Sequence, residues 1–489
     1  MSVASPPRMT GAQQSAHRPV IENHPLRYPN AASRPMMTRR AWWLLVLNFL
    51  IPGSAQVLAG NRRLGRFGLG ATLFGWTLIA VSIVTLLLWQ QAFVAIATNW
   101  FVLLGVQALL FAYLLLWIIL TIDTLRLVRL VRTGSITRFA VALVGVGALV
   151  LAGSGVVWAS DRLGGVRDSF GAIFAESGPS VPPSDGYYNI LLLGADSGEG
   201  RDSMRYDSIS VASINADTGA VTITGIPRDM VNVPFAPGPM QDLYPNGHSG
   251  HSDPVCGWGS GINQLRTEVE VCRDGNALYP DAVANGSEPG IEATKDAAEG
   301  LLGIEIPYYV FIDMHGFAAL IDALGGVDID VSERLPKGGG PSYDGQPAEE
   351  WAIGWIEPGF QHMDGDTAQW YARSRYTTSD WDRMLRQRQL QEAILAQFTP
   401  MNVLNRFNEV LTAGTAIVQT DIPQSMVPYF AELALKSKEE PVTSIELTPS
   451  GVGGIGIIPE ELSADDVAFI QDYLRQALHP PTPTPTPAA

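Results

Sequence analysis

The feature that most restricts what this chain can fold into is an apolar stretch with no charged residue between Arg66 and Asp123. A helix crosses the hydrocarbon core of a bilayer with about 20 apolar residues, so this stretch is too long for one span and suits two. We predict spans at about 67–89 and 100–122. The uncharged stretch 139–158 has the length of a third span.

The apolar segment 41–60 is harder to interpret, because Pro52 and Gly53 interrupt it. If this segment crossed the membrane, the arginines after it would lie outside. If it is a re-entrant or interfacial hairpin, every basic cluster is cytoplasmic, as the positive-inside rule favours. We therefore predict a multi-pass cell-membrane protein with a disordered cytoplasmic tail at 1–38, a membrane module at 39–158, and an extracytoplasmic remainder.

Charge is divided unevenly between the two parts of the chain. Residues 1–138 contain thirteen arginines, no lysine and two acidic residues, whereas the rest contains nineteen basic and 46 acidic residues. Nucleic acid binding needs a basic surface, so the acidic part excludes it as a partner of the large domain.

The acidic part reads as an α/β fold. Residues 188–194 are a short apolar run typical of a buried strand, and 208–215 and 220–226 alternate around a turn signal. Helical patterns alternate with these strands, which indicates an α-β-α sandwich with a mixed central sheet. The predicted divisions are a linker at 159–186, a catalytic domain at 187–398, its C-terminal extension at 399–478 and a Pro/Thr tail at 479–489.

The chain has two cysteines, Cys256 and Cys272, and no CxxC pair. They do not form a metal-binding pattern. If this part of the chain lies outside the cell, a disulfide between them is the natural prediction, and two unrelated thiols are the alternative.

Two aspartates stand near the end of the first predicted strand. Asp196 follows it directly, and Asp207 precedes the next strand beside Arg205. Carboxyl ends of strands face the crevice where α/β sheets bind ligands, and Mg²⁺ uses one or two carboxylates together with phosphate oxygens. On its own this signal is weak, because Asp196 can be a turn residue and Asp207 a hairpin cap.

Arginines recur in two further motifs. Arg228 follows a strand at a proline-fixed bend, and a surface ion pair with Asp229 is its simplest alternative role. A denser group stands at 373–388, where the planar guanidinium fork suits phosphate oxygens. Its candidate anion-binding residues are Arg373, Arg375, Arg383 and Gln387, with Asp380 among them. We interpret Arg386 and Arg388 as ordinary helix surface.

The motifs LLLGADS, RYDSI, GIPRDM and GFQHMDGDTAQWYARSRYTTSDWDRMLRQRQ, in this order, closely resemble the LytR–CpsA–Psr family of cell-wall glycopolymer ligases over about 187–397. The resemblance implies a phosphotransferase that moves a glycopolymer such as teichoic acid, with one phosphate, from a polyprenyl-pyrophosphate carrier onto peptidoglycan. It also implies a magnesium ion on the pyrophosphate.

Carried over residue by residue, the resemblance makes Asp196 and Asp207 the carboxylates near Mg²⁺. It gives Asp380 the role of orienting an arginine or assisting proton removal. The pyrophosphate-binding residues that it implies are Arg205, Arg228, Arg373, Arg375, Arg383 and Gln387.

This chain departs from the family pattern at two places. Gly261 stands before Ile262-Asn263, where the family often has a basic residue. Three spans replace the single anchoring span that is typical of the family. A polyprenyl-pyrophosphate hydrolase and a lipid-binding protein without ligase activity remain alternatives. A DNA-binding regulator is disfavoured because the only basic part is the N-terminal tail with its short loops.

Overall fold

The computed structural model describes residues 26–89, 92–93, 96–97, 99–174, 180–195, 205–248, 261–397, 418–437 and 440–480. The chain divides into two compact units. The N-terminal unit contains residues 1–89 and 100–164, and the C-terminal unit contains residues 90–99 and 165–489.

The N-terminal unit is helical, with helices Arg34–Leu50, Ser54–Ala59, Arg62–Leu88, Trp100–Val128 and Ser135–Ile173. Three segments are long and apolar enough to cross a membrane: Arg62–Leu88, Trp100–Arg132 and Ser135–Asp168. The predicted spans 100–122 and 139–158 fall within them, and the span 67–89 does so except for Trp89.

The segment 41–60 breaks at Pro52-Gly53, between the helices Arg34–Leu50 and Ser54–Ala59. Gly53 has φ +97°, and a Cβ atom there would lie 2.4 Å from the backbone nitrogen of Leu69. Only glycine combines this left-handed backbone with so close an approach to the helix Arg62–Leu88. The side chain of Gln56 is fully buried and donates to the carbonyl of Leu120 at 2.7 Å.

The predicted linker 159–186 differs from the structure. The helix that begins at Ser135 continues to Ile173, so the first half of that linker is helical. Adding a turn to an existing helix needs no new nucleation, and no proline interrupts the chain before Pro179. The two glycines at 164–165 weaken the helix without ending it.

The C-terminal unit is built on a six-stranded sheet with the order β10-β3-β2-β1-β4-β9. The β1–β4 and β10–β3 pairs are parallel, and the β1–β2, β2–β3 and β4–β9 pairs are antiparallel. The strands are β1 Tyr187–Ala195, β2 Tyr206–Asn215, β3 Val221–Ile226, β4 Tyr308–Asp313, β9 Val418–Thr420 and β10 Thr443–Glu446. The sheet is mixed, as predicted. Both edge strands come from the region after 399.

Helices cover both faces of this sheet. The helices that follow β1 among the described residues are Pro239–Leu243, Leu265–Glu270, Gly275–Leu278, Pro289–Leu302, Met314–Leu324, Ala348–Trp351, Gly365–Arg373, Asp380–Gln397, Val427–Lys436 and Ala464–Leu478. On one face, Leu191 and Leu193 of β1 pack with the helix Pro289–Leu302. On the other, Ile190 packs with Leu433. Alternate residues of β1 therefore enter two cores, and the predicted α-β-α sandwich is confirmed.

Two small antiparallel ribbons stand beside the main sheet. They pair β5 Val327–Val331 with β8 Gly359–Met363, and β6 Leu335–Lys337 with β7 Gly354–Ile356. Ile329 and Ile356 of these ribbons share a buried cluster with Tyr371 and Leu390 of the helices Gly365–Arg373 and Asp380–Gln397. The two helices that carry the 373–388 motif are thus packed against these ribbons.

Candidate functional site

A bulge at the end of β1 sets the position of Asp207. Gly194 pairs with Ser208 but Ala195 pairs with Tyr206, so Asp207 is the extra residue of β2. Tyr206 and Ile209 are three positions apart, so regular alternation would place them on opposite faces of the strand. The bulge instead brings both side chains into the same core. Bulges of this kind re-aim side chains beside functional sites. Asp207 is left half-buried at the carboxyl end of β1.

The side chain of Arg228 reaches this aspartate from the bend after β3. Its Nη1 donates to Oδ1 of Asp207, and its Nε lies 3.3 Å from Asp229 and 3.7 Å from Asp380. Burial alone would lower the pKa of Arg228, but the carboxylates of Asp380, Asp229 and Asp207 together raise it above its ordinary value. Arg228 is therefore held charged, and the ion pair with Asp229 that was predicted as its alternative role is present as well.

Asp380 joins arginines from two sequence motifs. Its Oδ2 is 2.9 Å from Nη2 of Arg383 and 3.7 Å from Nε of Arg228, while its Oδ1 is 3.9 Å from Nη1 of Arg375. Both of its oxygens face guanidinium groups. Of the two roles left open for Asp380, this placement favours orientation of the arginines.

Arg383 is the most buried cation of the group, with a side chain only 6% exposed. Burial lowers its pKa, and the positive charge of Arg228 lowers it further. Within the described part of the chain its Nε has no hydrogen-bond partner. A buried, unsatisfied N–H on a guanidinium that is already crowded by another cation is a specific demand for an anion.

The other predicted residues are placed less centrally. Gln387 is half-buried and donates from Nε2 to the carbonyl of Ala372 at 3.3 Å. Arg373 lies over the ring of Trp370, 5.5 Å from its centroid, and Arg205 is exposed at the start of β2. Asp196 lies outside the described residues. The arginine cluster, as used below, is Asp207, Arg228, Arg375, Asp380 and Arg383.

The interpretation of Arg386 and Arg388 as helix surface is wrong. Arg386 is buried and donates to the carbonyls of Tyr371 and Ser374. Arg388 pairs with Glu446 at 2.7 Å, with side chains 7% and 4% exposed. The sequence around residue 388 does not show this partner, because Glu446 lies far along the chain on β10.

Glycine at position 225 makes room for that ion pair. A Cβ atom on Gly225 would lie 2.0 Å from Oε2 of Glu446 and 2.3 Å from Nη2 of Arg388. The pair thus lies directly on the backbone of β3. It ties the helix Asp380–Gln397, which carries Asp380 and Arg383, to the strand that carries Arg228 at its end.

Gly261 packs against the bend after β3 that carries Arg228. The backbone nitrogen of Asn263 donates to the carbonyl of Arg228 at 3.1 Å, and a Cβ atom on Gly261 would lie 3.3 Å from that carbonyl oxygen. The absence of a basic side chain at 261 therefore coincides with a close backbone contact that supports Arg228.

A metal can be tested against the residues present. Among the described residues, no group of three or more His, Cys, Asp or Glu side chains is placed to hold a metal ion. Of the two predicted carboxylates only Asp207 lies within the described residues, and its Oδ1 accepts from Arg228. Mg²⁺ takes one or two carboxylates together with phosphate oxygens and water, so Asp207 is a donor of the type that this ion binds.

The predicted disulfide can be checked at one of its two cysteines. Cys272 is disulfide-bonded, and the only other cysteine of the chain, Cys256, lies outside the described residues.

The described C-terminal unit is thus an α-β-α sandwich in which arginines and aspartates meet near the strand ends, an arrangement suited to binding an anion. Comparison with known proteins identifies its family. Residues 174–471 match the LytR_cpsA_psr family, and the chain belongs to that family.

The individual relatives carry names of two kinds, a transferase and a regulatory protein. The chain is 27% identical to the polyisoprenyl-teichoic acid–peptidoglycan teichoic acid transferase TagU of Halalkalibacterium halodurans, over 60% of this chain and 79% of that protein. It is 26% identical to the biofilm regulatory protein A of Streptococcus mutans, over 50% of this chain and 52% of that protein. Among solved structures it resembles Bacillus subtilis TagV, with a TM-score of 0.39, 20% identity and coverage of 60% and 98%.

We predict that Arg388→Ala lowers the free energy of unfolding of the C-terminal unit by about 3–5 kcal/mol, because it leaves Glu446 buried without its partner. Urea unfolding of the full chain in detergent measures this. Arg475→Ala, which removes an exposed ion pair with Asp472, should change that free energy by less than about 0.5 kcal/mol. Equal effects of the two variants would show that the Arg388 pair has no special weight.

Proposed function

We propose that the chain is a phosphotransferase that moves a glycopolymer, with one phosphate, from a polyprenyl-pyrophosphate carrier onto peptidoglycan. The observation that carries this is the meeting of Arg228, Arg375 and Arg383 at Asp380, beside the strand ends of the sheet. Family membership and the transferase name of the relative from Halalkalibacterium halodurans support it.

The reaction requires little covalent chemistry from the protein. A hydroxyl oxygen of the acceptor forms a bond to the phosphorus that carries the glycan, and the bond from that phosphorus to the bridging oxygen breaks. The hydroxyl proton is released, and polyprenyl phosphate leaves with the bridging oxygen. Charge on the non-bridging oxygens must be neutralised and held in place, which is the main demand of phosphoryl transfer. The arginine cluster supplies fixed guanidinium groups for this task.

Each residue has a defined part in this proposal. Arg383 supplies a buried N–H that is free for a phosphate oxygen in the described part of the chain, and Arg375 supplies an exposed one. Asp380 holds the guanidinium groups of Arg228, Arg375 and Arg383 close to one another. We also propose that Asp207 and Asp196 hold a Mg²⁺, which would add a second positive charge on the pyrophosphate.

We further propose that the C-terminal unit lies outside the cytoplasm and that the chain crosses the membrane three times. The support is the distribution of arginines around the apolar helices. An alkaline phosphatase fused after Ala175 should be active, because that reporter folds only outside the cytoplasm. A fusion at the same position to a reporter that works only in the cytoplasm should be inactive, and the reverse pattern would overturn the topology.

Arg375→Ala should lower kcat/KM for transfer by about 100-fold or more, since one preorganised cationic donor to the reacting phosphates is lost. Arg375→Lys should recover only part, because an ammonium lacks the planar fork. Arg334→Ala is a matched control, since Arg334 and Arg375 side chains are each 47% exposed. The assay follows labelled glycan onto peptidoglycan. Release of free phosphorylated glycan instead would indicate a hydrolase, and full activity of Arg375→Ala would refute the site assignment.

Removal of divalent cations with EDTA should abolish transfer, and Mg²⁺ should restore it. Asp207→Asn should raise the Mg²⁺ concentration needed for half-maximal activity by about tenfold or more, because a carboxylate ligand becomes a neutral amide. Asp229→Asn also loses a contact with Arg228 but should keep the wild-type Mg²⁺ requirement. Activity that is unchanged by EDTA would contradict a role for the metal.

A further inference from the structure

A pair of aromatic side chains begins directly after Arg375 in the chain and has no part in the proposed phosphoryl transfer. Tyr376 follows Arg375 and is 48% exposed. Its ring meets that of Trp351 edge to face, with 5.1 Å between centroids. Consecutive Cα atoms are about 3.8 Å apart, so the backbone that carries Tyr376 adjoins the backbone that carries a residue of the arginine cluster.

The position of the Tyr376 ring is fixed on several sides. Its hydroxyl donates to the carbonyl of Gly339 at 3.1 Å. The ring end lies where a Cβ atom on Gly340 would come within 2.1 Å of it, and Gly340 has φ +100°. Trp351 is held in turn at the end of the helix Ala348–Trp351. A tyrosine that is held on these sides and is still 48% exposed as a residue can offer surface to a ligand without losing its position.

Two further apolar side chains near Trp351 in the chain are exposed. Ile353, two residues after Trp351, is 79% exposed, and Tyr343 of the same segment is 59% exposed. The segment 343–353 thus presents exposed apolar side chains on both sides of Trp351 in the chain, whereas a single exposed apolar residue would need no explanation.

The charge of this segment differs in sign from that of the arginine cluster. Between residues 338 and 353 the chain has three acidic residues and no basic one. These acids, Asp344, Glu349 and Glu350, are all exposed. Tyr343 donates to Glu350 at 3.3 Å. An anionic partner would be repelled here, whereas an uncharged partner with hydroxyl groups would find acceptors around an apolar centre.

A sugar ring meets these requirements. One face of a pyranose presents C–H bonds, which pack on the electron-rich face of an aromatic ring, while its hydroxyl groups donate to carboxylates at the rim. We propose that Tyr376 and Trp351 form a stacking platform for the uncharged sugar that is attached directly to the pyrophosphate of the carrier lipid. This proposal rests on the proposed function, since the arginine cluster must hold the pyrophosphate.

The carried glycan is favoured over the acceptor as the occupant because the platform is continuous in the chain with Arg375.

The test compares two lipids bound by the full chain in nanodiscs: undecaprenyl pyrophosphate, and the same lipid carrying one N-acetylglucosamine. Tyr376→Ala and Trp351→Ala should each weaken binding of the sugar-bearing lipid about tenfold or more, as expected for aromatic anchors of a binding site. Binding of the bare lipid should stay at the wild-type level, and so should the melting temperature.

Two controls accompany these variants. Tyr376→Phe keeps the ring and should retain most of the affinity. Tyr473→Ala removes an exposed tyrosine from the helix Ala464–Leu478 and should change nothing.

Other results would overturn either the platform or the proposed function. Equal weakening for both lipids, or none, overturns the platform. Loss of binding to soluble peptidoglycan fragments, with donor lipid binding retained, would assign the platform to the acceptor and overturn the proposal. If the wild-type protein binds neither lipid, the proposed function itself fails, and the aromatic variants are not needed to show it.

Discussion

The buried ion pair between Arg388 and Glu446 is the interaction on which the geometry of the candidate site depends. It joins the helix Asp380–Gln397 to β10 and presses against Gly225 of β3. The same helix contacts the sheet again through Gln391, which donates to Ser210 at 3.3 Å. Asp380 and Arg383 at the start of this helix thereby meet Arg228 at the end of β3. Removing a pair of charges from water is costly, and here it fixes a relative position that apolar packing alone would leave less specific.

The arginines between 383 and 388 have two different roles. What distinguishes them is whether their N–H groups have acceptors within the fold. Arg386 and Arg388 are satisfied by carbonyls and by a carboxylate within the core. Arg383, equally buried, keeps an N–H that nothing in the described residues accepts. A charged group that the fold has desolvated but not satisfied is poised for a ligand, whereas a satisfied one is part of the scaffold. Exposure alone does not distinguish the two.

The sequence predicted the sheet, its two covered faces and the motifs that meet at the site, since apolar alternation and turn residues are local signals. It did not predict the roles of Arg386 and Arg388. Helical spacing places residues on a face but does not show what packs against that face. Glu446 lies on an edge strand far along the chain, and only the folded sheet brings it to Arg388. The bulge at Asp207 was missed for a similar reason, since it shows only when β1 and β2 are paired.

The change of chemistry between Arg375 and Tyr376 links the site to its substrate. A lipid-linked pyrophosphate is an anion with an apolar chain on one side and sugars on the other, so a domain that binds it needs cationic and sugar-compatible surfaces in immediate succession. Arg375, just after the helix Gly365–Arg373, contributes to the first surface, and Tyr376 with Trp351 provides the second, with Glu349 and Glu350 directly before Trp351 in the chain. The border between the two surfaces is a single peptide bond. The point at which charge gives way to aromatic surface therefore marks where phosphate ends and carbohydrate begins.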